Sequence, residues 1–448
     1  MNETVISDAG MAVAPHRAAA EAGAAILSAG GNALEAMVAA AATIAVVYPH
    51  MNGIGGDAFF LFAEPGKAPK AIDGSGAAGS RATIGWYEKK GYEAIPPRGP
   101  DAALTVAGAV STWLLALDAA ASMGGRMPPR DLLADAVRRA REGIAVSPSQ
   151  VRMTDKNVKE LQSVTGFAAT FLRDGKTPPA GSRMVFPKLG DTLDQLAHAG
   201  CADFYRGDVA AEIASDLEAL ESPVTRGDLA RHSAAVVEPL SVQLQGPPAA
   251  TLFNTPPPTQ GLAALLILAL FDRLKVTRGE SFEHVHGLVE ATKRAFAVRD
   301  AEVTDPADGR DLSPFLAPGF LDREAAAIDR RRAARWPAGD GAGDTIWMGA
   351  IDKRGLAVSF IQSLYWEFGS GVVLPRTGIL WQNRGASFSL DPAALNALRP
   401  GRKPFHTLIR RWPASPTVAP WFTDRWAATA SHNSRRPSSP AMPVSGWN

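Results

Sequence analysis

The sequence predicts an α/β protein in which alanine-rich helices cover a sheet. Three observations carry this. Two closely spaced Ala-rich helical segments cover residues 14–31 and 33–47; an apolar strand, residues 58–63, follows them; and strand-like runs resume at Thr345 after a largely helical middle.

In the first helical segment Gly30-Gly31 supplies the stop and Asn32 the N-cap of the next. The second is apolar for about fifteen residues, short of the roughly twenty a membrane span needs, and contains Glu35, so it reads as a buried core helix. The run Gly53-Ile54-Gly55-Gly56-Asp57 follows a helix and precedes a strand, the reverse of a dinucleotide fingerprint, and predicts a close backbone approach instead. A second small-residue loop spans 73–83, and Pro96-Pro97-Arg98-Gly99-Pro100 follows. Residues 101–240 read mostly as helices, with amphipathic examples at 129–142 and 208–217. A strand at 241–245, a rigid turn at 255–261 and helices at 262–274 and 285–298 come next. The charged, Pro/Gly-rich segment 304–344 predicts a solvent-exposed excursion leading to the Asp344–Thr345 junction.

At 448 residues the chain has room for one large domain or two to three average ones. A formal net charge of +1 with 20% charged residues offers no basic excess for nucleic acid or an anionic membrane. The single cysteine, Cys201, excludes an internal disulfide framework and suits a reducing compartment. With no basic segment followed by an apolar core at the N-terminus, a cytoplasmic location is expected. The eight histidines contain no His-Glu-x-x-His spacing, and the close pair His284 and His286 reads as a surface or packing pair, so neither metal nor cofactor is expected.

On pattern alone Thr345 is an ordinary strand-edge threonine behind a loose loop. The ordered set of motifs changes that reading. Gly30-Gly31-Asn32-Ala33, the Gly53–Asp57 run, Pro256-Pro257-Pro258, Asp344-Thr345 with Asp352, Phe368-Gly369-Ser370-Gly371, Gly378-Ile379 and Asn383 together resemble the γ-glutamyltranspeptidase family over residues 10–408. The resemblance implies a four-layer α/β/β/α sandwich of the N-terminal-nucleophile hydrolase type. It also implies a precursor that cuts itself between Asp344 and Thr345, giving a large subunit of residues 1–344 and a small one beginning at Thr345, with a higher oligomer left open. Thr345 would then be the catalytic nucleophile. Its freed α-amine, with a reference pKa of about 7.7–8.0, can take the hydroxyl proton near neutral pH.

The departures from the family pattern bear on substrate. The family's arginine for the donor α-carboxylate falls on Ser75, its aspartate for the donor α-amino group on Ser387, an asparagine on Tyr365 and a Ser-Ser pair on His406-Thr407. Losing both charged anchors argues against a γ-glutamyl peptide (glutathione) hydrolase or γ-glutamyltransferase, which is the alternative reading. The segments 363–371 and 381–388 look most like the family's oxamate amidohydrolase branch, which implies a very small amide carboxylate as substrate. The substrate-binding candidates are Ser75, Ser363, Tyr365, Asn383, Arg384, Ser387, His406 and Thr407, with Arg384 as carboxylate clamp and Trp347, Tyr365 and Trp366 narrowing the site.

From about residue 409 the mixture of Trp, Arg, Ser and Pro has neither helical nor strand period. We read residues 409–448 as an aberrant, disordered tail arising from a frameshift, replacing the Gly-Gly loop whose backbone N–H groups form the family's oxyanion hole. Resequencing the gene for a single-base change that restores a longer frame checks this. A third reading follows from it, an inactive uncleaved precursor lacking that loop; donors of this kind are worth about 10²–10³ in rate each.

Overall fold

The computed structural model describes residues 6–246, 249–336, 345–407 and 412–414. Asp344 and most of the 409–448 tail lie outside them. Their strands are β1 (Gly10–Val13), β2 (Asp57–Ala63), β3 (Lys70–Asp73), β4 (Ile144–Ala145), β5 (Arg183–Met184), β6 (Ala235–Val237), β7 (Leu240–Leu244), β8 (Ala250–Asn254), β9 (Ile346–Asp352), β10 (Ala357–Ser363) and β11 (Trp412–Ala414).

Six strands form an antiparallel sheet in the order β1-β9-β10-β2-β3-β6. Its two faces follow from the period-2 alternation of side chains. Ala58, Phe60, Phe62, Ile72, Ile346, Met348 and Phe360 enter the main core with the helices α1 (Arg17–Ser28) and α2 (Ala33–Val47) and the helix Ala109–Ser122. Leu61, Ala63, Ala71 and Ala357 face the other way and meet Phe253 of a second sheet, ordered β11-β8-β7. Behind that sheet the helices Gly261–Arg273 and Phe282–Glu302 close a separate core with Val242 and Leu252. The layers are helix, sheet, sheet, helix, as expected.

Local chemistry explains the sharpest boundaries. The Asn32 side chain accepts from the Leu34 and Glu35 amides, and Glu35 Oε2 accepts from the Asn32 amide at 2.7 Å, a capping box that starts α2. Asp352 closes the β9–β10 turn by accepting from Arg354 and Leu356, and its other oxygen accepts from Ala33. At Gly56 a Cβ would collide with the Ser363 carbonyl oxygen, so the glycine run does permit a close backbone approach.

The structure departs from the expectations in two places. Residues 304–328 do not form an exposed excursion: they fold into the short helices Ser313–Leu316 and Pro318–Ala326 and bury Leu312, Leu321, Ala325 and Ile328 against the helix Gly261–Arg273. The apolar residues are too widely spaced for a continuous stripe, which hid the pattern. Within the tail, Trp412–Ala414 pairs with Thr251–Phe253 of β8, so these three residues extend the second sheet.

Candidate active site

The register of the large sheet gathers the candidate residues at one end. Gln362 pairs with Ile346, which brings Thr345, the residue before β9, beside Ser363 at the end of β10; Ser363 pairs in turn with Asp57 at the start of β2. Asp73 finishes β3 at the same end, and Ser75 follows two residues later. Thr345 Oγ1 donates to Ser363 Oγ at 3.1 Å, and the same Ser363 oxygen accepts the Tyr365 amide at 2.9 Å. Thr345 is half-buried.

Beyond Ser363 the chain makes a tight loop in which Tyr365 has φ 84° and Phe368 φ 60°, both in the left-handed region. Asn383 anchors it, accepting the Trp366 amide at 3.2 Å and donating to Pro97 O at 2.8 Å. Arg98 donates from Nη1 to the carbonyls of Glu367 and Gly369 and from Nη2 to Asn157, and its guanidinium lies 5.5 Å from the centre of the Trp366 ring. The loop turns the Tyr365 ring over Arg384, whose guanidinium carbon sits 4.2 Å from the ring centre.

Arg384 is 0% exposed. Nη1 donates to Thr407 Oγ1 at 3.3 Å, while Nε and Nη2 have no partner among the described residues. Burial brings its pKa down to about 10, so it stays charged at neutral pH. A buried cation with two idle donors costs several kcal/mol unless an anion meets it.

Next to Thr407, His406 is also 0% exposed and forms a buried pair with Asp57, Nε2 to Oδ2 at 2.7 Å; its Nδ1 faces Pro404 O at 2.8 Å. Asp57 Oδ1 accepts three N–H groups, from Gly76, Gly108 and the Gln382 side chain, each at 3.1 Å. Burial, then Arg384, holds the imidazole below its usual range, opposed by Asp57 and the Pro404 carbonyl.

The remaining candidates are engaged by neighbouring groups. Ser387 Oγ donates to Arg384 O at 3.0 Å and Phe405 O at 3.1 Å. Ser75 donates its amide and hydroxyl to Asp73 Oδ1, while Lys403 pairs with Asp73 Oδ2 at 2.8 Å. Trp347 Nε1 donates to Ser359 Oγ at 2.9 Å. A cavity of about 830 Å³ is bounded by Asp73 and Lys403, but not by Thr345 or Arg384. His284 and His286 meet Phe271 and Phe282, respectively, away from this end. No group of three potential metal ligands occurs among the described residues.

Sequence reasoning missed Asp57, Lys403 and Arg98. Asp57 was visible as the carboxylate that ends the glycine run; its partner lies 349 positions away, which no local pattern reveals.

The γ-glutamyltranspeptidase family description matches residues 19–411. The chain belongs to the γ-glutamyltranspeptidase family. It is 53% identical over 410 residues to the oxamate amidohydrolase proenzyme of Klebsiella pneumoniae subsp. pneumoniae, covering 91% of this chain and 77% of that one. It is 42% identical over 415 residues to the glutathione hydrolase-like YwrD proenzyme of Bacillus subtilis, with the same coverage of 91% and 77%. Among solved structures, the cephalosporin acylase from Bacillus halodurans superimposes with a TM-score of 0.85 at 33% identity, over 94% of this chain and 78% of that one. The fold of this family member is accordingly that of the N-terminal-nucleophile hydrolases. No helix among its described residues is long and apolar enough to cross a membrane.

Proposed function

We propose that the chain is a self-cleaving amidohydrolase whose nucleophile is Thr345 and whose substrate is a small amide carboxylate such as oxamate. The observation that carries the substrate class is Arg384, fully buried, stacked on Tyr365 and holding two idle donors. Its planar fork suits a carboxylate. The likeness to the Klebsiella oxamate amidohydrolase proenzyme supports the same class.

Cleavage before Thr345 yields residues 1–344 and a chain that begins at Thr345. The new α-amine takes the Thr345 hydroxyl proton; the oxygen attacks the amide carbonyl, ammonia leaves with a proton from the amine, and water resolves the acyl-enzyme. Ser363, accepting the Thr345 hydroxyl at 3.1 Å in the uncut chain, orients it. Arg384 holds the carboxylate beside the scissile carbonyl, converting binding into alignment. The Gly-Gly loop that supplies the oxyanion donors in the family resemblance is the one that residues 409–448 are read as replacing, and of these only Trp412–Ala414 are among the described residues. A γ-glutamyl donor is disfavoured because the hydroxyls of Ser75 and Ser387 are spent on Asp73 and on backbone carbonyls.

The test combines a denaturing gel, N-terminal sequencing and an ammonia assay. The expected outcome is two bands, with Thr345 heading the smaller, and ammonia release from oxamate exceeding γ-glutamyl anilide cleavage. Thr345→Ala abolishes both cutting and turnover. A single intact band that turns over nothing supports the inactive-precursor reading instead.

A further inference from the structure

The Asp57–His406 pair lies outside the chemistry just described, yet it is wholly buried and joined in sequence to the Arg384 partner Thr407. Its geometry is arranged to share one proton. Nδ1 faces a backbone carbonyl at 2.8 Å, which can only accept, so Nδ1 carries a proton. Nε2 lies 2.7 Å from Asp57 Oδ2, a hydrogen-bond distance that accommodates one further proton between them, which burial and the Arg384 charge make easier to lose. The three N–H groups on Oδ1 leave Oδ2 as the oxygen that shares it. With that proton the pair is neutral and the Arg384 charge stands alone; without it the pair carries −1 and cancels Arg384.

We infer that Asp57 and His406 form a specificity-determining proton couple, which gives the Arg384 site a net charge of +1 when protonated and so selects a monoanionic carboxylate over a zwitterion. This rests on the reading of Arg384 as the carboxylate clamp. An α-amino acid donor would need an anion for its ammonium, and the Asp57 charge is already spent on His406. The proton is held against the Arg384 charge, so an incoming carboxylate that neutralises Arg384 strengthens its retention. Binding therefore draws up to one proton onto the pair. The other groups facing this cluster leave the count unchanged. His232 is held neutral by burial, with its pKa near 4 although Asp57 opposes the shift; Tyr205 is held protonated because burial, then Asp57, raises its pKa; and Asp73 and Lys403 compensate one another in an ion pair.

Calorimetry of the mature protein in buffers of different ionisation enthalpy, between about pH 6 and pH 9, tests this. Pyruvate is the probe, because it keeps the carboxylate and carbonyl of oxamate without an amide bond to break; alanine is the zwitterionic control. The expected result is pyruvate binding with uptake of up to one proton, an affinity that falls as pH rises with a slope approaching tenfold per unit, and no alanine binding. Asp57→Asn keeps every hydrogen bond, since its amide can donate to Nε2, and should abolish the uptake and flatten the pH dependence. A purely structural pair would leave both unmoved. His406→Gln provides a second variant that removes the shared proton. Pyruvate binding without proton exchange at any pH, or no pyruvate binding beside ready oxamate turnover, overturns the inference and leaves the proposed function standing. Absence of oxamate turnover and of pyruvate binding overturns both.

Discussion

Arg384 concentrates the selectivity of the proposed site in one side chain. Its charge is compensated by a tyrosine ring and one threonine hydroxyl, neither of which is an anion. Lysine at this position would keep the charge but lose the planar fork and the stacking on Tyr365. Charge-assisted hydrogen bonds are worth about 1.5–3 kcal/mol each, so Arg384→Lys should raise the KM for oxamate roughly 10–100-fold, with a smaller change in kcat. Steady-state ammonia release checks this, and an unchanged KM would remove Arg384 from the binding site. The candidates on Ser75 and Ser387 stand differently. Their positions were legible from the motif resemblance, but their hydrogen bonds to Asp73 and to two carbonyls depend on neighbours that sequence does not reveal.

At the scale of elements, what could be read from the chain depended on how local the cause is. The capping box of α2 is four residues long, so Asn32 and Glu35 announce the helix start by themselves. The glycine run announced a tight approach for the same reason, although its partner Ser363 could only come from the fold. The short helices of 313–326 were invisible because their burial is decided by the distant helix Gly261–Arg273. Asn32 also donates to Ala120 O at 3.1 Å, tying α2 to the helix Ala109–Ser122. Asn32→Ala should therefore lower stability by about 1–2 kcal/mol, at the upper end for an N-cap, because the Leu34 and Glu35 amides it caps are buried. A denaturant melt at fixed pH measures it, and a loss below a few tenths would contradict the assigned role.

Two buried histidines shape the behaviour of the whole molecule. Burial takes the His50 pKa down to about 3 and that of His232 to about 4, against an ordinary value of 6.5. Both are neutral in the folded state where the unfolded chain is already protonated. As pH falls from about 6.5 toward 4 the unfolded state binds more protons, so stability declines with acidification, by up to about 1.4 kcal/mol per pH unit for each group. Urea midpoints at pH 7.5 and pH 5 should separate accordingly, and His232→Gln should narrow the gap. Invariant midpoints would mean that these rings are not held neutral.

The strand order β1-β9-β10-β2 has one more consequence. The first two strands that follow Thr345 are bordered on both sides by strands from before it, through the β1–β9 and β10–β2 ladders. Cutting the chain ahead of Thr345 therefore divides a polypeptide without dividing a sheet. The fragments stay interleaved, and neither can leave without unzipping a ladder along its full length. The uncut chain delivers β9 and β10 to their slot at the effective concentration of a tether, whereas separated fragments must find each other by diffusion. The proposed maturation would thus be a ratchet: the precursor can fold, cut and persist, while a cut molecule that has been unfolded has lost the connection that assembled it.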